Sequence, residues 1–437
     1  MNLIKKLQDM QEAYGYLPME QLKELDGSAA ETIGTATFYE FFQMQQGAQA
    51  NHIERLFPCR QKGALLNPHQ IHTKEAIERT LADPEGAIAE LKRAKLLGRG
   101  GAAFPTGVKW ETTYKIHAPQ KYVVCNADEG EPDTGKDRIL LEENPEAVIT
   151  GIALCAAAVG ADQAYLYLRG EYADLKESLE ATIQQLPLQD ELSIQIFLGM
   201  GAYVCGEETA LLESLEGKRG EPRLKPPFPG VAGLHQCPTV INNVETFACV
   251  AYTLSNGADA FLAKGDSEYP GYKLYTIAGA VEHPGVYEAE AGLSVGELLQ
   301  LAGGMKVGQT LAAIQVGGGS GKLLHADALD LKMTPNDCRS FGTGLGTGSV
   351  RFFSEEDDLH EYVASRTEFY ASESCGCCVP CRAGLEALTE LLRASELDSE
   401  RILHVAEYIR DGARCALAAA AITPVVSWLE GGFDHEN

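Results

Sequence analysis

Four cysteines fall within seven residues of the stretch SESCGCCVPCRAG (372–384): Cys375, Cys377, Cys378 and Cys381. Thiolates are soft ligands, and such density marks a metal or cluster site far more often than a set of spare thiols. Cys375, Cys378 and Cys381 make a C-x2-C-x2-C run. A regular helix cannot aim all three at one point from a single face. Gly376 and Pro380 predict a loop that wraps its ligand and then enters a helix. A bacterial-ferredoxin run would place a fourth cysteine at 385, ahead of a proline; Leu385 stands there instead. The only cysteine further along is Cys415, in DGARCALAAAAITP. A ligand from that distance would close a cage across two helices. Four thiolates suit zinc or a [4Fe–4S] cluster. Zinc sites more often come as two C-x2-C pairs, which tilts the reading toward iron–sulfur and leaves Cys377 over.

The stretch LLGRGGAAFPTGVKW (96–110) reads as G-x-G-x-x-A through Gly98, Gly100 and Ala103. A dinucleotide fingerprint follows a strand. The preceding EGAIAELKRAKLL has helical periodicity, so an ordinary fingerprint is not expected. The loop keeps the means to cradle a phosphate: backbone N–H groups laid open by glycines, with Arg99 and Lys109 as charges. A tight turn between two helices explains the glycines equally well.

The elements that must position these groups can be sketched from periodicity. LIKKLQDMQEAYGYLP carries Leu3, Leu7, Met10 and Tyr14 at helical spacing and stops at Gly15 and Pro18. A further helical stretch follows, and 46–75 reads as a linker. From 76 to about 250, helical stretches alternate with β-like runs at KYVVCNA (121–127), QAYLYLR (163–169) and SIQIFLG (193–199), which predicts an α/β domain. Residues 272–350 alternate short β-like runs with glycines around one helix and suggest a small α+β module. Residues 355–437 are helical again. The chain has 437 residues and a net charge of −26, from 62 acidic and 36 basic side chains. That charge repels nucleic-acid backbones. MNLIKKLQDMQ sets charged residues where a signal peptide needs an apolar core. GIALCAAAVGA (151–161) and CALAAAAITPVVSWL (415–429) fall short of the roughly 18 residues a membrane span needs. A cytoplasmic chain with no direct membrane span is expected. Its twelve cysteines are then thiols and ligands rather than disulfides. Cys125, Cys155, Cys205, Cys237, Cys249 and Cys338 lack ligand spacing and read as buried small hydrophobes.

Four stretches together resemble one family: GRGGAAFPTGVKW (98–110), NADEGEPDTGKDR (126–138), GAYVCGEETALLESLEGKRGEPRLKPPFPG (201–230) with PTVINNVET (238–246), and ESCGCCVPCRAG (373–384). The family is the NADH-binding flavoprotein subunit of complex I and its soluble relatives, and the resemblance covers about residues 76–437. DMQEAYGYLP and GTATFYEFF are similar to the helical start of the thioredoxin-like [2Fe–2S] subunit of complex I. Such a fusion resembles the large diaphorase subunit of soluble NAD-reducing hydrogenases. No thioredoxin-like domain follows these helices, and Cys59 is the only cysteine before 125, so no [2Fe–2S] cluster is expected. The resemblance implies an α/β fold with four parts. These are a helical segment with linker (1–75), a Rossmann-like FMN- and NADH-binding domain (76–250), a β-grasp (ubiquitin-like) domain with its connection (251–350), and a helical [4Fe–4S] domain (351–437).

Carried over position by position, the resemblance implies that FMN is met by Gly98, Arg99, Gly100 and Lys109, by Asn126, Asp128 and Glu129, by Tyr203, Gly206 and Glu207, and by Asn242, Asn243 and Thr246. NADH would contact Gly101, Phe104, Glu131, Glu208, Lys225 and Phe228. The cluster ligands would be Cys375, Cys378, Cys381 and Cys415, with Cys377 in a non-ligand slot. Three positions depart from the family's usual glycine: Ala103, Asp133 and Ala418. Asp133 would add negative charge near the nucleotide and weaken NADPH binding even more than NADH. The implied chemistry is hydride exchange between NADH and the flavin N5, then single-electron transfer through one [4Fe–4S] cluster to an iron–sulfur partner subunit and a hydrogenase module. No catalytic acid–base residue is required, since the flavin does the chemistry. The equivalent subunit of an NAD-dependent formate dehydrogenase or of respiratory complex I is an alternative. A zinc-stapled structural subunit without flavin is an alternative of another class.

Overall fold

Runs rich in Val, Ile, Leu and Tyr become ten strands in two sheets among the described residues. The computed structural model describes residues 2–25, 28–45, 57–187 and 191–433. The edge strand β1 (Cys59–Gln61) belongs to the second sheet. The first sheet holds β2 (Tyr122–Ala127), β3 (Gln163–Leu168), β4 (Ser193–Leu198) and β5 (Thr239–Asn243). All its pairings are parallel, in the order β4-β3-β2-β5. Parallel strands need crossovers, and helices between them cover the sheet. The helix Pro145–Val159 is buried along most of its length and crosses the helix Val244–Asn256 closely. Gly151 permits the approach, because a Cβ there would meet the Phe247 carbonyl oxygen at 2.2 Å.

The second sheet is built from β6 (Tyr272–Gly279), β7 (Gly285–Glu290), β8 (Leu311–Val316), β9 (Lys322–His325) and β10 (Ser349–Ser354), with β1 at its edge. The helix Val295–Leu301 packs on it, held at its start by a capping box between Ser294 and Glu297. Four helices follow: Leu359–Ser372, Val379–Leu392, Ser399–Gly412 and Ala416–Glu430. They enclose a core of Leu385, Leu388, Leu392, Ile402, Ile409, Val425 and Trp428. Each such buried aliphatic side chain contributes about 1.5–3 kcal/mol.

Two expected boundaries move. Part of the expected linker is structural. Cys59–Gln61 pairs in parallel with β7, and the backbone N–H groups of Gly63, Leu65 and Leu66 all donate to the buried Glu288 carboxylate, at 2.8, 2.6 and 2.9 Å. Weak apolar periodicity hid this, since backbone hydrogen bonds hold the segment together with the irregularly spaced buried Leu65, Leu66 and Ile71. Residues 46–56 of that linker lie outside the described residues. The boundary expected at 350 would cut β10, which runs to Ser354. The N-terminal helices Leu3–Tyr14, Met19–Glu24 and Ala29–Ala36 pack on the first domain, where Ile4, Leu7, Leu17 and Tyr39 share a core with Val124, Tyr167, Leu211 and Cys375. Among the described residues no helix is long and apolar enough to cross a membrane.

Candidate functional site

From β2 the chain moves outward to β3 and β4, then returns to place β5 on the other side of β2. Connections diverge at such a reversal and leave a crevice beyond the carboxyl ends of the strands. A cavity of about 320 Å³ opens there. Asn126, Asp128 and Glu129 reach it from the end of β2, and Asn243 from the end of β5. Gly100, Glu131, Tyr203, Gly206 and Glu207 complete the expected part of its wall. A Cβ on Gly100 would lie 2.9 Å from the Asn243 Cβ, so the glycine keeps this side of the cradle open. Asn126 is fixed by its Nδ2, which donates to the Gly206 carbonyl at 2.8 Å. Three polar wall residues were not expected as site residues: Lys136, Asp137 and Thr347. The first two sit in the GKDR end of the stretch NADEGEPDTGKDR; Thr347 comes from the second sheet's unit, where no local pattern marks it.

Lys136 belongs to a buried charge network. Its Nζ lies 2.6 Å from Asp137 Oδ1, 3.1 Å from Glu245 Oε2 and 3.1 Å from Asn243 Oδ1. Glu245, fully buried, also takes Lys273 Nζ at 2.6 Å and the Leu274 N–H at 2.8 Å. Burial opposes the Lys136 charge, but Asp137, Glu245 and Glu129 around it hold the proton on well above the usual range. Burial, with Asp137 nearby, pushes the Glu129 carboxyl up to about 7. Glu129 nevertheless accepts from the backbone of Asp137 and Arg138 and from the Tyr172 hydroxyl. Asp128 differs: its Oδ2 is buried without a partner, and burial pushes its carboxyl up to about 8.

The remaining expected residues are placed otherwise. Gly98, Lys109, Asn242 and Thr246 stand outside the cavity wall. The expected approach of Arg99 to a phosphate is not what the structure has. Its guanidinium is buried over the Tyr269 ring at 4.0 Å, with Nη2 donating to the Pro270 carbonyl at 2.7 Å. Its backbone N–H donates to Thr246 Oγ1, and Asn242 Oδ1 accepts from the buried Trp110 indole. Lys109 and Lys225 are bound to Glu208, at 3.2 and 3.1 Å, and Lys225 also to Glu207 at 2.8 Å. Burial works against the Glu208 charge, yet these two lysines hold its pKa below the ordinary carboxylate range. Gly101 has a φ of 125°, and Phe104 and Phe228 are exposed. The Glu131 carboxylate is fully engaged: it accepts from Tyr203 OH at 2.6 Å, from Ser320 N and Oγ at 2.8 and 2.7 Å, and from Tyr370 OH at 3.3 Å.

One of the expected cluster cysteines reaches the far wall. Cys415 itself lines the cavity, with Ala416, Leu417 and Ala420 behind it. It is the N-cap residue of the helix Ala416–Glu430, and Cys378 is the N-cap residue of Val379–Leu392. Two helix N-termini therefore offer positive potential to thiolates. Burial, and then the neighbouring Cys378, Cys415 and Cys375, push the Cys381 thiol up to about 11. Burial likewise raises Cys375 and Cys415, each with further cysteines among the causes. Thiols that penalise one another's ionisation are a donor set that a cationic centre would relieve. Among the described residues no three His, Cys, Asp or Glu side chains are gathered tightly enough to hold one metal ion. Four such thiols are the donor set of a [4Fe–4S] cluster. Cys377 is exposed, and its Sγ accepts from Arg414 Nη1 at 2.9 Å.

Comparison with known proteins agrees with this geometry. Residues 91–252 match the Nuo51 FMN-binding domain, 274–323 the SLBB domain, and 361–436 the iron–sulfur binding region of NADH-ubiquinone oxidoreductase-F. The F subunit of the NADH-quinone oxidoreductase of Streptomyces coelicolor is 40% identical over 374 residues, 82% of this chain and 83% of that one. The chain belongs to the complex I flavoprotein family. The alpha subunit of the NAD-reducing hydrogenase HoxS of Cupriavidus necator is also similar, 39% identical over 80% of this chain and 60% of its own length. A crystal structure of an NAD+-reducing [NiFe]-hydrogenase in the H2-reduced state superposes with a TM-score of 0.86 at 30% identity, covering 99% of this chain and 91% of that one. As a complex I-family flavoprotein, the chain takes FMN, NADH and a [4Fe–4S] cluster as its cofactors. The cavity fits the flavin: its wall offers amides, a lysine and the unpartnered Asp128 oxygen.

Two of the flavoprotein's three departures from glycine are strained. Ala103 and Asp133 have φ of 51° and 61°, the left-handed region that glycine occupies without strain. Ala103→Gly is expected to stabilise the protein by about 1 kcal/mol, read from denaturant midpoints. The charge of Asp133 does not stand free beside the nucleotide, as the sequence suggested. Arg351 Nη1 donates to it at 2.9 Å, and Arg366 lies at 3.9 Å. Ala418 is buried in its helix. Cys237, expected in the core, is only half-buried.

Asp128 gives this flavoprotein a pH dependence. Between about pH 4 and 8 the folded chain keeps the Asp128 proton, while an unfolded aspartate, near 3.9, has lost it. The folded state then binds more protons, so stability falls as pH rises through that window. In thermal melts of FMN-free protein, Asp128→Asn is expected to be more stable than wild type at pH 8. The gap should close toward pH 4; a gap that is constant with pH would refute the assignment.

Proposed function

We propose that this chain is the diaphorase component of a multisubunit, cytoplasmic NAD-linked hydrogenase, exchanging hydride with NAD(H) and passing single electrons to an iron–sulfur partner subunit and a hydrogenase module. The N-terminal helices carry this reading. The hydrogenase structure matches over 99% of the chain and so includes them, whereas by sequence the hydrogenase subunit and the Streptomyces quinone oxidoreductase match alike, over 80% and 82% of the chain. FMN, when bound, supplies the conversion of a hydride into single electrons. The chain's residues supply the setting. Gly100 and Gly206 let backbone approach the cofactor, Asn126 and Asn243 offer amides to a polar ring edge, and Lys136 faces negative charge. Phe104 and Phe228 present exposed rings for an adenine, and Glu208 with Lys109 and Lys225 forms a charged rim for ribose and pyrophosphate. Cys375, Cys378, Cys381 and Cys415 hold the cluster, and the place of Cys415 in the cavity wall makes the electron path short.

The equivalent component of a quinone-reducing complex I is the second reading, supported by the 40% identity to the Streptomyces quinone oxidoreductase over most of both chains. Affinity purification of the tagged chain from its native cells separates the two. A soluble assembly containing nickel that reduces NAD+ with H2 supports the hydrogenase reading; membrane subunits with quinone reduction and no nickel would overturn it. Anaerobic NADH titration tests what both share, and should bleach flavin and iron–sulfur absorbance together.

A further inference from the structure

Three consecutive residues of the cysteine loop are each held by a different arginine. Arg219 Nη2 donates to the Cys375 carbonyl at 2.6 Å, Arg382 Nη1 to the Gly376 carbonyl at 2.7 Å, and Arg414 Nη1 to Cys377 Sγ at 2.9 Å. The arginines come from three separate places: the segment after the helix Glu208–Leu215, the first turns of Val379–Leu392, and the turn before Ala416–Glu430. Gly376, with φ of 74°, makes the turn they grip. Arg382 and Arg414 donate to the loop at 2.7 and 2.9 Å, and among the described residues neither is ion-paired with a carboxylate. Arg219 has Glu221 at 3.5 Å, and its guanidinium lies over the ring of Phe38 at 4.6 Å. The N-terminal helical segment therefore braces one of the three.

We propose that Arg219, Arg382 and Arg414 form a cationic collar that raises the reduction potential of the adjacent cluster, with Cys377 as the collar's sulfur anchor. The inference rests on the cluster ligands assigned above. Adding an electron makes a thiolate-ligated cluster more negative, and fixed cations beside it favour that state. The hydrogen bonds to two carbonyls and one sulfur hold the guanidinium charges in place. They also hold the Cys377 sulfur to Arg414, which accounts for a fifth cysteine in a four-ligand loop. Arg382 and Arg414 are exposed, so their contribution is screened by salt.

The test is an anaerobic redox titration of the holoprotein followed by the electron-spin signal of the reduced cluster. Arg382→Gln and Arg414→Gln are each expected to lower the midpoint, and the double variant to lower it further. Arg414→Lys, which keeps the charge, should stay near wild type. The difference between glutamine variant and wild type should shrink at high ionic strength. Cys377→Ser should retain the four-iron signal. Val379, half-exposed at the start of the helix that follows the loop, provides a variant that removes none of the arginine contacts: Val379→Glu should lower the midpoint and Val379→Lys raise it. Equal midpoints across the glutamine, lysine and glutamate variants at full iron content would overturn the collar. Absence of any four-iron signal in the wild type would instead overturn the ligand assignment.

Discussion

Cys415→Ser protein is expected to lose its iron while still bleaching its flavin with NADH. Cys415 caps the last helix, and its thiol is raised by burial with Glu207 and Cys378 nearby. Removing a ligand of the cage should lower cluster occupancy by more than about tenfold, since even outer-shell changes at metal sites cost 10–100-fold. Because Cys415 also lines the cavity, flavin content must be measured on the same sample. The expected pattern is near-normal flavin, little iron, intact reduction of flavin by NADH, and electron delivery to partner clusters reduced by orders of magnitude. Cys377→Ser is the matched control and should keep both cofactors. Iron loss in the Cys377 variant with retention in the Cys415 variant would exchange their roles.

Glu245→Gln should be the most destabilising single substitution near the site. The carboxylate is inaccessible to solvent and serves two buried ammonium groups, Lys273 at 2.6 Å and Lys136 at 3.1 Å. Burial opposes its charge, and Lys273, Lys136 and Arg99 together overcome that and hold its pKa below the ordinary range. Neutralising it leaves Lys273 buried without a carboxylate, while Lys136 keeps Asp137. Breaking a buried pair in this way costs about 3–5 kcal/mol. The denaturation midpoint in guanidinium chloride should fall accordingly, and FMN affinity with it, because Lys136 would lose one of the three groups, with Asp137 and Asn243, that fix it against the cavity. Glu361→Gln, on an exposed pair with Arg393, should leave the midpoint almost unchanged.

The sequence made different parts of this molecule legible for different reasons. Strands β2 and β3 were visible because they are nearly continuous apolar runs between helical stretches, the mark of a covered parallel sheet, and the edge strand β4 because Ile194 and Ile196 alternate with Ser193 and Gln195. The cysteine loop was visible because ligand spacing is local, and Gly376 and Pro380 announce its turn and helix. The strand Cys59–Gln61 was invisible: three residues paired at an edge leave no periodicity. The behaviour of Arg99 was also out of reach. A cation in a glycine-rich loop reads as a phosphate ligand, and nothing local reveals that Tyr269 and Pro270, some 170 residues on, take its guanidinium. Lys136 was passed over for a related reason. Its function depends on Glu245, which falls in the distant stretch PTVINNVET, and only the fold brings the two within 3.1 Å.

The engagement of Glu131 has a bearing on how the protein is made. Its carboxylate is satisfied by Tyr203 from the first domain, Ser320 from the second sheet's unit and Tyr370 from the helical part. The cavity wall likewise needs Thr347 and Cys415. On the ribosome, the segments bearing Tyr370 and Cys415 emerge after everything else that surrounds the cofactor. A nascent chain can thus complete its parallel sheet, yet it has neither a closed cradle nor a full ligand set until its last helix has docked. A chain broken off before the helix Ala416–Glu430 lacks Cys415, and with it both part of the cavity wall and one of the four expected thiols.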